Sequence, residues 1–227
     1  MWPFMDTRLA LFFASLLGFI PSYGLLFLSI SGLERKLDEK DTMITFVIGL
    51  FAGTVVVVAH LLFLSEYRTS GLSLISAILL ALAESMLIFV FLNRKKFKGR
   101  KDLLFIGYSF GLGISGIYIL YLAGRMFFFL DMGPTLVLGM IAYAIAVPLL
   151  RGSAGLVIAE RKLKERPYIG VALGTVLLGV FNILSFLYLY SFYLWTFGAA
   201  ALIMGAVAFH FNARKLRSSP DLNRLPR

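Results

Sequence analysis

Two ionisable side chains, Glu84 and Arg151, lie deep inside long apolar stretches of the 227-residue chain. Each precedes an arginine at the end of its stretch, Arg94 and Arg161, by ten residues. Ten helical residues span about 15 Å, so both charges fall at a similar depth in a membrane. A lone charge there costs about 2.5–3.5 kcal/mol on an insertion scale. The matched depth predicts a buried ion pair; a neutral Glu84, a partner or substrate site and a catalytic group are the alternatives.

Arg151 has a further alternative, because Pro148 and Gly152 flank it. A proline and a glycine can break a helix. A break at this point would let the guanidinium reach water rather than a carboxylate.

The other polar residues do not assemble into a recognisable catalytic or metal-binding set. His60 and His210 fall near opposite ends of their apolar stretches, and the aspartates lie in loops or at the ends of these stretches. Zinc normally takes three or four protein ligands, and the chain has no cysteine to supply them. A retinal Schiff base needs a lysine within a helix, which the last apolar stretch lacks. We therefore expect no metal and no cofactor.

The composition indicates an integral membrane protein. Hydrophobic residues make up 59% and charged residues 15% of the chain, with a mean hydropathy of +0.87, whereas soluble domains have roughly 45–50% apolar and about 25% charged residues. A soluble enzyme, a secreted disulfide-linked domain and a disordered chain are excluded. The pattern predicts an all-α fold of seven transmembrane helices, near residues 9–33, 43–64, 71–93, 103–123, 133–159, 168–189 and 192–212.

The basic residues predict the orientation of these helices. Of the 22 lysines and arginines, 18 lie on one side of a seven-span topology, in segments 34–42, 93–102 and 160–167 and in the tail from residue 213. Because cytoplasmic loops are enriched in lysine and arginine, the N-terminus is predicted outside and the C-terminus in the cytoplasm of a multi-pass protein of the cell membrane.

The same positive charge has consequences for partners and domains. The net charge of +10 faces anionic lipid under this topology, and no nucleic-acid partner is expected. Residues 1–217 form one predicted transmembrane domain, and the polar tail 218–227 is predicted to be disordered.

The fourth predicted helix contains a cluster of small residues in the run GYSFGLGISG (107–116). Small residues on one face of a helix let a second helix approach closely in lipid. The run predicts either packing within the bundle or docking of a helix from another protein. The candidate partner-binding residues are Gly107, Gly111, Gly113, Ser115 and Gly116.

These residues resemble those of a known family. The run SFGLGISG (109–116) in the fourth of seven helices is similar to the signature of the anterior-pharynx-defective family, the seven-span scaffold subunit of γ-secretase. The first helix with Pro21, the position of Glu84 ahead of a basic loop, and RGSAGLVIAERK (151–162) also resemble the family, over about residues 9–217. The short loops and absent cysteines are typical of a compact prokaryotic or archaeal relative.

The resemblance implies a non-catalytic scaffold that binds and stabilises a presenilin-like intramembrane aspartyl protease. The chain departs from the family at two histidines, whose positions fall on Arg151 and about Val176 here. The glycine spacing also differs, since Gly111 and Gly116 are five residues apart. Whatever role the family's histidines have is therefore not carried over to this chain.

Two other functions compete with the scaffold. Intramembrane proteases of the CAAX-processing and PrsW type share a similar helix order and carry a glutamate pair, where this chain has Glu84 and Ser85. A peptidase using Glu84 is therefore one alternative. A small transporter or channel is the other, although only the fifth helix shows a proline and glycine break of the kind found in transporters.

Overall fold

The structure is a computed structural model that describes residues 7–30, 39–64, 71–100, 102–129, 134–190 and 195–218. Within these ranges the chain is helical and contains no strand. Apart from a short 3₁₀ helix at Lys95–Phe97, the elements are α1 (Thr7–Ile30), α2 (Glu39–Leu64), α3 (Gly71–Leu92), α4 (Leu103–Phe129), α5 (Pro134–Leu163), α6 (Pro167–Tyr190) and α7 (Trp195–Ser218).

Six helices, α1 to α6, are long and apolar enough to cross a membrane. The predicted all-helical fold is therefore confirmed for the described residues, and these six helices have the length and composition needed to cross a membrane. The apolar part of α7, Gly198–Phe211, is shorter than the other six. The predicted division near Ser191 agrees with the end of α6 at Tyr190 and the start of α7 at Trp195. The predicted tail beyond Ser218 lies outside the described residues.

The most buried helix of the bundle is α4. Its apolar segment is 89% buried, against 22% for that of α1. It packs mainly against α2, α5 and α1, while α5 also contacts α7 and α6, and α3 packs mainly against α6. This arrangement makes α4 and α5 the two central helices. The inward-facing side chains of α3 and α6 contact the side chains of these two helices.

Proline does not interrupt α5. The helix continues from Pro134 to Leu163 through Pro148, and Arg151 is completely buried. The alternative that a break at Pro148 and Gly152 exposes Arg151 to water is therefore wrong. Neighbouring helices hold the segment helical, which is how proline is tolerated in membrane helices.

Ion pairs fasten the α3–α4 connection to the start of α2. Asp41 in the first turn of α2 accepts hydrogen bonds from Lys96, at 2.9 Å, and from Arg100. Arg100 also forms an ion pair with Asp102. At the start of α4, the backbone carbonyl of Asp102 accepts a hydrogen bond from the backbone amide of Phe105 at 2.9 Å. The hydrogen bond to Asp102 is the main cause that raises the pKa of Arg100, so this side chain stays charged. We call these four residues the ionic clasp.

The ionic clasp is expected to contribute modestly to stability. Arg100→Ala removes the residue shared by both aspartates and should cost about 1 kcal/mol, because partly exposed ion pairs are screened by water. The control Lys98→Ala removes an exposed positive charge from the same loop. Thermal melts in detergent at low and high salt measure both. A loss for Arg100→Ala no larger than for Lys98→Ala, or one that grows with salt, contradicts the clasp.

Candidate functional site

Glu84 and Arg151 form a buried, two-point ion pair between α3 and α5. Arg151 donates from Nε to Oε1 of Glu84 at 2.6 Å and from Nη2 to Oε2 at 3.2 Å. The two side chains are 1% and 0% exposed. Both carboxylate oxygens are therefore engaged by one guanidinium, whose planar fork suits this geometry. The structure brings together the two residues that the sequence singled out by depth.

Aromatic rings enclose the guanidinium on the side of α4 and α6. The Cζ atom of Arg151 lies 3.8 Å from the centroid of the Tyr118 ring and 5.5 Å from that of Phe181. A cation over an aromatic face is attracted by the ring quadrupole, and the attraction grows when water is excluded. Tyr118 and Phe181 thus help to stabilise a charge that would otherwise be costly inside the bundle.

His60 from α2 also lies beside the Tyr118 ring. Its ring packs edge-on against Tyr118 with centroids 5.0 Å apart, and it is 5% exposed. Its Nδ1 lies 3.1 Å from the carbonyl oxygen of Val56. Since a carbonyl only accepts, Nδ1 carries a proton, and in a neutral ring Nε2 is then an acceptor.

Asn182 from α6 completes the group. Its Nδ2 donates to the carbonyl oxygen of Ala77 on α3 at 3.2 Å, and its side chain is next to His60. We call Glu84, Arg151, Tyr118, His60 and Asn182 the polar core. Its residues come from five helices, α2 to α6, so it ties together most of the bundle.

The polar core contains residues that the sequence did not single out. Asn182 is a deep polar residue in α6, and an uncharged amide also costs free energy to bury, on a smaller scale than an ionisable group. His60 lies near the end of α2, and its position along the helix does not indicate that it lies near Glu84. The polar character of both residues is visible in the sequence, but their proximity to Glu84 is not.

Gly107 and Gly111 face α5. A Cβ atom at Gly107 would lie 2.5 Å from the carbonyl oxygen of Gly155, and one at Gly111 would collide with the carbonyl oxygen of Arg151. The backbones of α4 and α5 therefore approach closely, as expected for small residues in membrane helices. This contact also positions Arg151 for its pairing with Glu84.

Of the remaining candidate residues, Gly113 and Gly116 face other helices of the same chain. A Cβ at Gly113 would overlap the carbonyl oxygen of Phe46 in α2, and one at Gly116 would lie 3.1 Å from Cδ2 of Leu50. Ser115 donates to the carbonyl oxygen of Gly111 at 2.8 Å. All five candidate partner-binding residues are buried within the chain's own bundle. Docking of another protein's helix onto them stays a prediction.

The polar core is not arranged as a metal site within the described residues. No group of three or more histidine, aspartate or glutamate side chains there could hold an ion. Glu84 is occupied by Arg151, so it is not poised to take a proton from a substrate unless the pair opens. The arrangement can bind charge and form hydrogen bonds, and it links five helices.

No family model, no curated protein and no solved structure matches this chain.

Proposed function

We propose that this chain is a non-catalytic membrane scaffold that binds and stabilises a presenilin-like intramembrane aspartyl protease. The observation that carries the non-catalytic part is the pairing of both Glu84 oxygens with Arg151. A general base or nucleophile needs a carboxylate oxygen within hydrogen-bond reach of its substrate, whereas here both oxygens face Arg151 in the buried interior. In this chain the deepest carboxylate stabilises the bundle instead.

The central position of α4 supports a scaffolding role. Its small residues let it pack closely against α1, α2 and α5, so the interior of the bundle is tight. The partner class comes from the resemblance of SFGLGISG (109–116) and its flanking helices to the anterior-pharynx-defective family. A tightly packed bundle with many exposed apolar side chains is suited to holding a second membrane protein in place.

The proposed topology has seven spans, with the N-terminus outside and the C-terminus in the cytoplasm of a cell membrane. The exposed basic residues of the α3–α4 connection, Arg94, Lys95, Lys96 and Lys98, then face anionic headgroups. The ionic clasp lies at the same cytoplasmic end, since it joins this connection to the start of α2.

A peptidase that uses Glu84 is the second candidate. The observation in its favour is that Asn182 of α6 lies with Glu84 in one polar core, because proteases of the CAAX-processing and PrsW type combine glutamate with histidine or asparagine from later helices. His60 belongs to the earlier helix α2 and does not match that order. This function requires Arg151 to release Glu84 during the reaction.

Two measurements on the purified full-length chain test the proposal. Co-expression with a presenilin-like protease bearing two membrane aspartates should yield a complex that survives affinity purification. The chain alone should not cleave a labelled single-span membrane substrate, and Glu84→Ala should not change this result. Cleavage that Glu84→Ala abolishes would establish the peptidase instead. Absence of a complex at micromolar concentrations of both proteins would remove the scaffold.

A further inference from the structure

Three atoms of the polar core are buried without a hydrogen-bond partner among the described residues. They are Nη1 of Arg151, Nε2 of His60 and Oδ1 of Asn182. Their residues are 0%, 5% and 1% exposed. Leaving a buried polar atom unpaired costs free energy, and buried polar groups in proteins are almost always satisfied. Three such atoms within one polar core point to a ligand that satisfies them together.

Two of the three side chains contact Tyr118, and the third lies next to one of them. The guanidinium of Arg151 covers the Tyr118 ring and His60 packs against its edge. The Asn182 side chain is next to His60. A small molecule beside His60 can therefore reach groups from α2, α5 and α6.

The chemistry of these atoms restricts what the ligand is. Nη1 of Arg151 donates, whereas Nε2 of His60 and Oδ1 of Asn182 accept. The charges of Glu84 and Arg151 compensate each other, so an ion would bring an unpaired charge into the bundle. The site suits a small uncharged molecule that both accepts and donates hydrogen bonds.

We propose that this site binds water within the membrane-embedded interior, linking Arg151 to His60 and Asn182. Buried waters typically make about three hydrogen bonds to otherwise unsatisfied polar groups, which matches the donor and two acceptors here. The site is a hydrated polar pocket beside Tyr118, and it does not depend on the scaffold proposal. The bound water supplies hydrogen bonds to polar atoms that have no partner on the described helices.

X-ray hydroxyl-radical footprinting of the full chain in detergent tests this proposal. Radicals that form from a bound water oxidise the side chains beside it, even where bulk solvent does not reach. The internal control is Tyr108, which is also in α4, is 0% exposed, and has its hydroxyl paired with Ser29 at 3.2 Å. We expect Tyr118 to be oxidised several-fold faster than Tyr108. Equal protection of the two tyrosines overturns the proposal.

A double variant and a second measurement make the test independent of folding. His60→Phe with Asn182→Leu removes both acceptors, and oxidation of Tyr118 should fall to the level of Tyr108. A folded double variant with unchanged Tyr118 oxidation contradicts the site. In a His210→Gln background, ¹⁵N-histidine NMR isolates the His60 ring, since the chain has 2 histidines. A water contact at Nε2 is expected, and a ring without one overturns the proposal even if the double variant does not fold.

Discussion

Glu84→Gln is expected to destabilise the bundle by about 3–5 kcal/mol, because it leaves the buried guanidinium of Arg151 without a counter-charge. The double variant Glu84→Gln with Arg151→Gln should lose less, since both groups are then neutral and two amides can bond to each other. Equilibrium unfolding in mixed detergent gives the free energies for a double-mutant cycle. Losses that simply add in the double variant would show that the two residues do not interact.

The matched control for this cycle is the same substitution at an ion pair exposed to solvent. Glu160 pairs with Lys164 at 2.7 Å along α5, and the lysine side chain is 59% exposed. Glu160→Gln should cost less than about 1 kcal/mol, because water screens the pair. The contrast isolates the effect of burial, since the chemical change is identical. Raised salt should alter the Glu160 result and leave the Glu84 result unchanged.

The depth of Glu84 and Arg151 could be predicted because depth depends only on residue count along a helix. Their facing each other could not, since it depends on how α3 and α5 are rotated. The rotation of a membrane helix about its own axis is difficult to predict from its sequence, because the side facing lipid and the side facing the protein interior are both apolar. Leu79 and Leu80 illustrate this: the first is 57% exposed and the second 7%, although they are chemically identical neighbours. The apolar pattern therefore predicts where the helices are, but not which side of each helix faces the bundle interior.

The polar residues of the core carry more information than the apolar ones. A polar side chain in a membrane helix costs free energy unless a neighbour satisfies it, so Asn182 and His60 must face the bundle interior. Five such residues on five helices constrain rotation in a way that the surrounding leucines do not. The sequence does not predict which of these polar groups contact each other. Glu84 and Arg151, for example, are more than sixty positions apart, and only the folded arrangement of the helices brings them together.

The glycines of α4 show a similar limit. The run 107–116 predicted close helix approach, and the structure has such approaches on two sides of α4, to α5 at Gly107 and Gly111 and to α2 at Gly113. Spacing alone did not tell which partner each glycine meets. A step of three or four residues keeps to one helix face, whereas the step of two from Gly111 to Gly113 turns to another.

Gly111→Leu is expected to give the largest loss of all, with little or no folded protein recovered from the membrane. Even a Cβ at this position collides with the backbone of Arg151, so α4 and α5 must separate and the pairing with Glu84 is disturbed. Overpacking of a tight interior costs about 1–3 kcal/mol and often more. Gly111→Ala should lower the melting temperature clearly. Its control is Gly124→Ala on the same helix, where nothing lies within 4 Å of an added Cβ atom. This variant should be as stable as the wild type or more stable by up to about 1 kcal/mol.

The same variants decide whether the glycine face serves the bundle or a partner. If Gly111 packs internally, stability in detergent and recovery of the presenilin-like protease should fall together in Gly111→Ala, while Gly124→Ala keeps both. If the face instead docks a helix of the protease, Gly111→Leu should melt like the wild type and lose only the complex. A Gly111→Leu protein that is fully stable and still binds the protease would contradict both the internal contact and the docking role. It would also remove the most specific residue-level support for the scaffold, since that support depends on this run of small residues.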